Sequence, residues 1–236
     1  MTSPEPALVA DGPPWALGDP AAAYLASLVL AVLVGSAWIA VTGDDGLTLG
    51  LTVATLVAQW TGLLGGTVLA SRRRGSGSLT ADLGLRIERR DILPGLAAGV
   101  LSQLVLLPLL YVPVSLLVDD LDISEEAREL TGLGSGAGLV LLALMIVVGA
   151  PLVEEVFFRG LLQRSLARRY GPTWALAGSS VLFGVTHFQP LLLPGLIAFG
   201  VVLGILARRS GRLGPSMVAH MAFNAVTVIT LTASRS

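Results

Sequence analysis

The fold this sequence predicts is all-α: a polytopic bundle of membrane-crossing helices, about seven in number. Three observations carry that expectation. Of the 236 residues 53% are hydrophobic and 13% charged, with mean hydropathy +0.79; ordinary soluble domains carry about 25% charge. The apolar residues gather into several runs of about 20, the length a hydrocarbon core of about 30 Å requires. Those runs are continuous and do not alternate with period two, which argues against a β-barrel.

The elements follow in order. Residues 1–20 form a Pro-rich, acidic tail without a basic residue, unlike a cleaved signal peptide with its positive leading segment. Residues 21–236 form the membrane domain. Its spans fall at about 21–42, 47–69 and 92–118, then from 139 helically on to 166, then 174–188, 191–207 and 215–232. The fifth and sixth are short, and Gln189-Pro190 between them reads as a tight turn. Gly75-Ser76-Gly77-Ser78 is a flexible linker. The stretch 79–90 after it reads either as an interfacial segment or as a solvated loop.

Charge orients the set. Arg72, Arg73, Arg74, Arg86, Arg89 and Arg90 lie between spans two and three. Arg164, Arg168 and Arg169 lie between four and five, and Arg208, Arg209 and Arg212 between six and seven. With seven spans these loops share one side, which the positive-inside rule makes cytoplasmic. The opposite loops carry Asp44, Asp45, Asp119, Asp120, Asp122, Glu125 and Glu126, with Arg128 their one basic residue. The protein is therefore expected as a multi-pass cell-membrane protein, N-terminus cytoplasmic and C-terminus outside.

Composition narrows the chemistry. Net charge is −1, which gives no electrostatic footprint for nucleic acid. Cysteine is absent, so disulfides, thiolate nucleophiles and thiolate metal sites are out. All 15 basic residues are arginine, so a Ser–Lys dyad is out as well.

What remains is a few polar groups inside apolar segments, where a charged residue costs roughly 2.5–3.5 kcal/mol at a helix centre. The first motif is Glu154-Glu155-Val156-Phe157-Phe158-Arg159. Adjacent helical residues point about 100° apart, so the two acids face different ways. Glu155 and Arg159 stand at i and i+4, acid first, the favourable order for a helical ion pair. Glu154 has Phe158 at that spacing and must point at something else. Desolvation there would suit it to act as a general base on water; the same motif also reads as a structural ion pair. The second motif is Phe183-Gly184-Val185-Thr186-His187, which ends on an imidazole near a helix end. The third is His220-Met221-Ala222-Phe223-Asn224, whose i, i+4 spacing sets imidazole and amide on one helical face. It reads as a catalytic pair or as an interhelical hydrogen-bonding pair. Depths counted at about 1.5 Å per residue put His187 furthest from the arginine-rich side.

A carboxylate, two imidazoles and an amide are the groups that bind a hydrolytic metal, or activate water and hold an oxyanion. In this order, on three apolar segments, they resemble the CPBP intramembrane protease family, which includes type II CAAX prenyl proteases and bacteriocin-immunity relatives. The family pattern is Glu-Glu-x-x-x-Arg, Phe-x-x-x-His and His-x-x-x-Asn, and the resemblance covers about residues 151–224 within a protease-like core at about 137–232. The resemblance implies an intramembrane endopeptidase acting on a membrane-associated protein or peptide. Glu154 would activate water with His187, while His220 and Asn224 would hold the oxyanion. Glu155, Arg159 and Phe183 would support them. It leaves two chemistries open: a metal-free glutamate site, or one divalent metal such as zinc on Glu154, His187 and His220 with a fourth position for water.

Other classes fit less well. No His-Glu-x-x-His run exists for a site-2-type zinc protease. Gly178-Ser179-Ser180-Val181 and Gly214-Pro215-Ser216-Met217 match a rhomboid Gly-x-Ser-Gly in three places only. The aspartates lie in predicted loops or the tail, against a presenilin-type pair. A transporter would show an inverted repeat. The alternative from another class is a non-proteolytic membrane partner or regulator, such as of a sensor kinase or in bacteriocin immunity, that uses the same fold. Oligomeric state is open; Gly62 to Gly66 could pack within or between chains.

Overall fold

The structure, a computed structural model, describes residues 14–116 and 125–233. Asp119, Asp120 and Asp122, the end of the third expected span and most of the N-terminal tail lie outside these residues. The described residues are helical, joined by short turns. We label the helices α1 (Gly18–Thr42), α2 (Leu49–Arg74), α3 (Leu79–Leu83), α4 (Arg89–Pro113), α5 (Glu125–Gly132), α6 (Ala137–Tyr170), α7 (Pro172–Val185), α8 (Leu193–Ser210) and α9 (Gly214–Ala233).

Six of these, α1, α2, α4, α6, α8 and α9, are long and apolar enough to cross a membrane. The protein is thus a multi-pass membrane protein. The expected fifth span is realised as the 14-residue helix α7. At about 1.5 Å per residue it reaches about 21 Å, short of a hydrocarbon core of about 30 Å. A count of seven spans is therefore not what the helix lengths support. Helix α8 runs back from the tip of α7, so the two form a hairpin that ends where it began.

Glycines set how closely the helices approach. A Cβ on Gly62 of α2 would overlap the Ser27 backbone of α1, and one on Gly66 would overlap Ala23. The Gly62-to-Gly66 face is therefore filled from within the chain. Gly95 and Gly99 play the same part for α4 against α9, where a Cβ on Gly99 would collide with the Ala219 carbonyl. Small residues four apart let membrane helices touch backbone to backbone.

Helix α6 is not uniformly α-helical. It widens into π-helical turns at Met145–Gly149 and Val156–Leu162. The first turn precedes Pro151, which has no N–H to return to the preceding turn. Such bulges free backbone carbonyls and re-aim side chains, often at functional sites.

At one end of the bundle polar clasps replace apolar packing. Asp91 and Glu88 form a capping box at the start of α4. Asp91 also accepts from the guanidinium of Arg212, with Nε at 2.9 and 3.0 Å from its two oxygens, which ties α4 to the α8–α9 turn. Arg164 of α6 donates to the carbonyls of Asp82 and Gly211. Asp82 accepts from Ser71 and Ser76. Within the stretch 79–90 the α3 end is packed into the bundle, with Leu83 and Asp82 buried, whereas Arg86, Ile87, Arg89 and Arg90 are exposed.

Candidate active site

Helix α6 delivers the two acids in different directions, as their 100° separation requires. Glu155 faces inward and is fully buried; its Oε1 accepts from Arg159 Nη1 at 2.9 Å. Arg159 is 2% exposed and also donates from Nη2 to the Gly200 carbonyl of α8 at 3.1 Å. Its guanidinium lies over the Phe183 ring, 4.4 Å from the centroid. The expected i, i+4 pair therefore exists, and it clamps α6 to α7 and α8. Glu154 is half-buried and lines a cavity of about 540 Å³. Its Oε2 is buried with no hydrogen-bond partner.

The same cavity is lined by His187, His220 and Asn224. His220 of α9 is held between ring edges and acids. Its ring meets Phe183 and Phe199 edge-on at 5.7 and 5.5 Å. Its Nδ1 lies 3.2 Å from Glu155 Oε1, and its Nε2 lies 3.8 Å from Glu154 Oε2. A carboxylate at Nδ1 fixes the proton on that nitrogen and turns Nε2 toward Glu154 and the cavity. The 3.8 Å gap is beyond direct hydrogen-bond reach.

His187 stands in the turn that follows α7. Its Nδ1 is 2.6 Å from the Phe183 carbonyl, an acceptor, so Nδ1 carries the proton and Nε2 is the free acceptor. Its ring packs edge-on against Phe183 at 4.8 Å. Phe183 thus touches both histidines and Arg159, and is itself 1% exposed. The next residue after His187, Phe188, has φ of 56°, the left-handed region that bulky side chains rarely adopt. The chain turns sharply there, so the expected tight turn begins at His187-Phe188 and sets the imidazole at the hairpin's tip. Despite its expected outward depth, His187 lies on the same cavity as Glu154.

Asn224 donates from Nδ2 to the Ile146 carbonyl at 2.8 Å. That carbonyl belongs to the first π-helical turn of α6. One amide N–H is thereby used, and a second N–H and the carbonyl oxygen of the side chain remain.

The metal alternative would use Glu154, His187 and His220 as its three ligands. Among the described residues no group of three His, Cys, Asp or Glu side chains is placed to hold a metal ion. Glu154 and His220 approach one another, but His187 does not complete a triad with them.

Part of the cavity wall lies outside the sequence motifs. Tyr24 of α1 and Leu56, Gln59, Trp60 and Leu63 of α2 line it with Glu154. Phe199 of α8, which stacks on Phe223 at 4.0 Å, lies outside every motif too. Gln59 had one legible signal, a long polar side chain in an otherwise apolar run.

Fold and site together define a class: a polytopic helical membrane protein whose core brings a carboxylate, two imidazoles and an amide to one intramembrane cavity. The comparison with known families makes this specific. Residues 136–226 match the model of the type II CAAX prenyl endopeptidase Rce1-like family, so this part of the chain is similar to that family. No curated protein and no solved structure matches the chain.

Proposed function

We propose that the protein is an intramembrane endopeptidase that hydrolyses a peptide bond of a membrane-associated protein or peptide with water activated at Glu154. The observation that carries this reading is Glu154 itself. It is an acid with a buried, unpartnered oxygen on a cavity that also holds His187, His220 and Asn224. An unsatisfied carboxylate in apolar surroundings is costly, and a function explains why it is there.

The roles follow from tautomers and partners. A water beside Glu154 gives up its proton to that carboxylate, and His187 Nε2 accepts a hydrogen bond from the same water. The hydroxide equivalent attacks the peptide carbonyl. The carbonyl oxygen becomes an oxyanion, met by the second N–H of Asn224 and by a His220 that carries both ring protons before the water is activated and keeps them throughout. Glu155 holds Nδ1 of His220 and so sets the direction in which Nε2 points. The proton on Glu154 passes to the leaving amine as the C–N bond breaks. No acyl-enzyme forms, because the attacking group is water.

The arginine-rich helix ends lie together, since Asp91–Arg212 and Arg164–Asp82 join them. By the positive-inside rule this end is cytoplasmic. Helix α1 starts beside it, where Arg74 meets Asp19 at 3.3 Å. The N-terminus is then cytoplasmic and the C-terminus outside, whether or not α7 crosses fully.

The test is cleavage by the purified protein, in bilayers, of a membrane-peptide library that includes a farnesylated CAAX tetrapeptide. Products detected by mass spectrometry support the reading. No cleavage of any member would favour the non-proteolytic membrane partner instead.

A further inference from the structure

We infer that the α1–α2 pair supplies the substrate's backbone-binding wall, with the Gln59 amide and the Tyr24 hydroxyl as its hydrogen-bonding groups. This rests on the peptidase reading of the cavity and extends it to residues outside the family match at 136–226. Both residues line the cavity that Glu154 and His220 share. Gln59 lies in the middle of α2, an apolar helix long enough to span a bilayer. Among the described residues neither the Gln59 side chain nor the Tyr24 hydroxyl has a hydrogen-bond partner.

The surroundings sharpen the point. Leu56, Trp60 and Leu63 flank Gln59 on the same wall, and Met145 and Leu196 also line the space. Gln59 is only partly buried and faces the cavity, so a bound group can pair its amide in place of solvent. A carboxamide offers one acceptor and two donors side by side, which matches the C=O and N–H of a peptide group. The position is also fixed. A Cβ on Gly149 would stand 2.5 Å from the Trp60 ring, so α2 rests directly on the π-helical turn whose Ile146 carbonyl anchors Asn224. Tyr24 is seated by its ring against Phe157, with centroids 6.2 Å apart, and lines the cavity. An extended peptide lying between this wall and Glu154 would present one backbone edge to Gln59 while its scissile carbonyl meets the acid.

The experiment uses full-length E154Q protein in lipid nanodiscs, where binding is read without turnover. The probes are a fluorescein-labelled farnesylated CAAX tetrapeptide and its backbone N-methylated analogue, followed by fluorescence anisotropy. We expect Gln59→Leu to weaken the parent peptide about tenfold, and to bind parent and analogue alike, as loss of a buried hydrogen bond predicts. Gln59→Met, closer in shape, guards against misfolding and is expected to behave as Gln59→Leu does. Tyr24→Phe should weaken the parent by a smaller factor. Equal binding of the parent peptide with Gln59 intact, with Gln59→Leu and with Gln59→Met would overturn the inference, as would no binding of either probe. Binding that depends on Gln59, in a protein whose unmodified form never cleaves, would uphold the wall and sink the peptidase reading separately.

Discussion

Among the acids, histidines and amide of the three motifs, Glu154 alone has a carboxylate oxygen on the cavity with no hydrogen-bond partner. Glu155 and Arg159 are a fully desolvated pair, and removing one member leaves the other's charge buried. Glu155→Gln or Arg159→Met should therefore destabilise the protein by about 3–5 kcal/mol. Thermal unfolding in detergent reads the effect, and a change of under about 1 kcal/mol would show that the pair is solvated. In the proposed mechanism His187 acts through the nitrogen its Phe183 hydrogen bond leaves free, and on that proposal His187→Ala should cost about 10²–10⁴ in kcat. Single-turnover cleavage measures that loss, and folding should be unaffected because the ring is half-buried at a helix end. The residue scale was also where the sequence was most legible. Glu154 had no helical partner, and Glu155 did; the structure keeps that distinction, with one acid on the cavity and the other in the clamp. Gln59 and Tyr24 escaped notice because a cavity wall built from three-dimensional proximity leaves no spacing pattern in the chain.

Among the elements, the α1–α2 contact and the α3 clasp make separate predictions. Gly62→Val would drive a side chain into Ser27 backbone atoms that already occupy the place of its Cβ. Overpacking of this kind costs typically about 1–3 kcal/mol, and it should also displace the Gln59 wall. A drop in melting temperature with weakened peptide binding is the expected readout. Asp82 provides a pH test away from the membrane spans. Burial pushes its carboxyl up, but hydrogen bonds from Ser71, from Ser76 side chain and backbone, and from the Gly77 N–H hold it below the ordinary value of 3.8. Its contribution to stability is therefore whole above that ordinary value and is lost as pH falls through the lower folded value. Hydrogen exchange in residues 71–84 should accelerate on acidification below about pH 4, and Asp82→Asn should remove the dependence. The sequence showed the positions of the long helices because apolar length is a local property. It did not show α3, whose five residues are fixed by Leu83 burial and Asp82 hydrogen bonds, both made to other elements. Nor did it show that α7 stops at 14 residues, since no Gly or Pro follows Val185 until Pro190. The left-handed Phe188 backbone blocks any continuation of the helix, and it turns the chain where His187 lines the cavity.

On the scale of the whole molecule, five of the long helices, Leu130 of α5 and the turn after the short α7 line one cavity with residues far apart in the chain. Tyr24, Gln59, Glu154, His187 and Asn224 come from five different helices or their ends and meet on one cavity of about 540 Å³. The family match and the motifs both fall in the C-terminal part of the chain, yet the cavity is closed by the N-terminal helices. That is why the motif-bearing residues could be named from sequence and the N-terminal side of the cavity could not. The central claim is that Glu154 activates the attacking water, and it is tested most directly by the cleavage rate of Glu154→Gln beside the unmodified protein in the same bilayers. The amide is nearly isosteric but cannot take the water's proton, so the account predicts a loss of about 10²–10⁴ in kcat, with peptide binding retained. Cleavage at the unmodified rate by Glu154→Gln would contradict it.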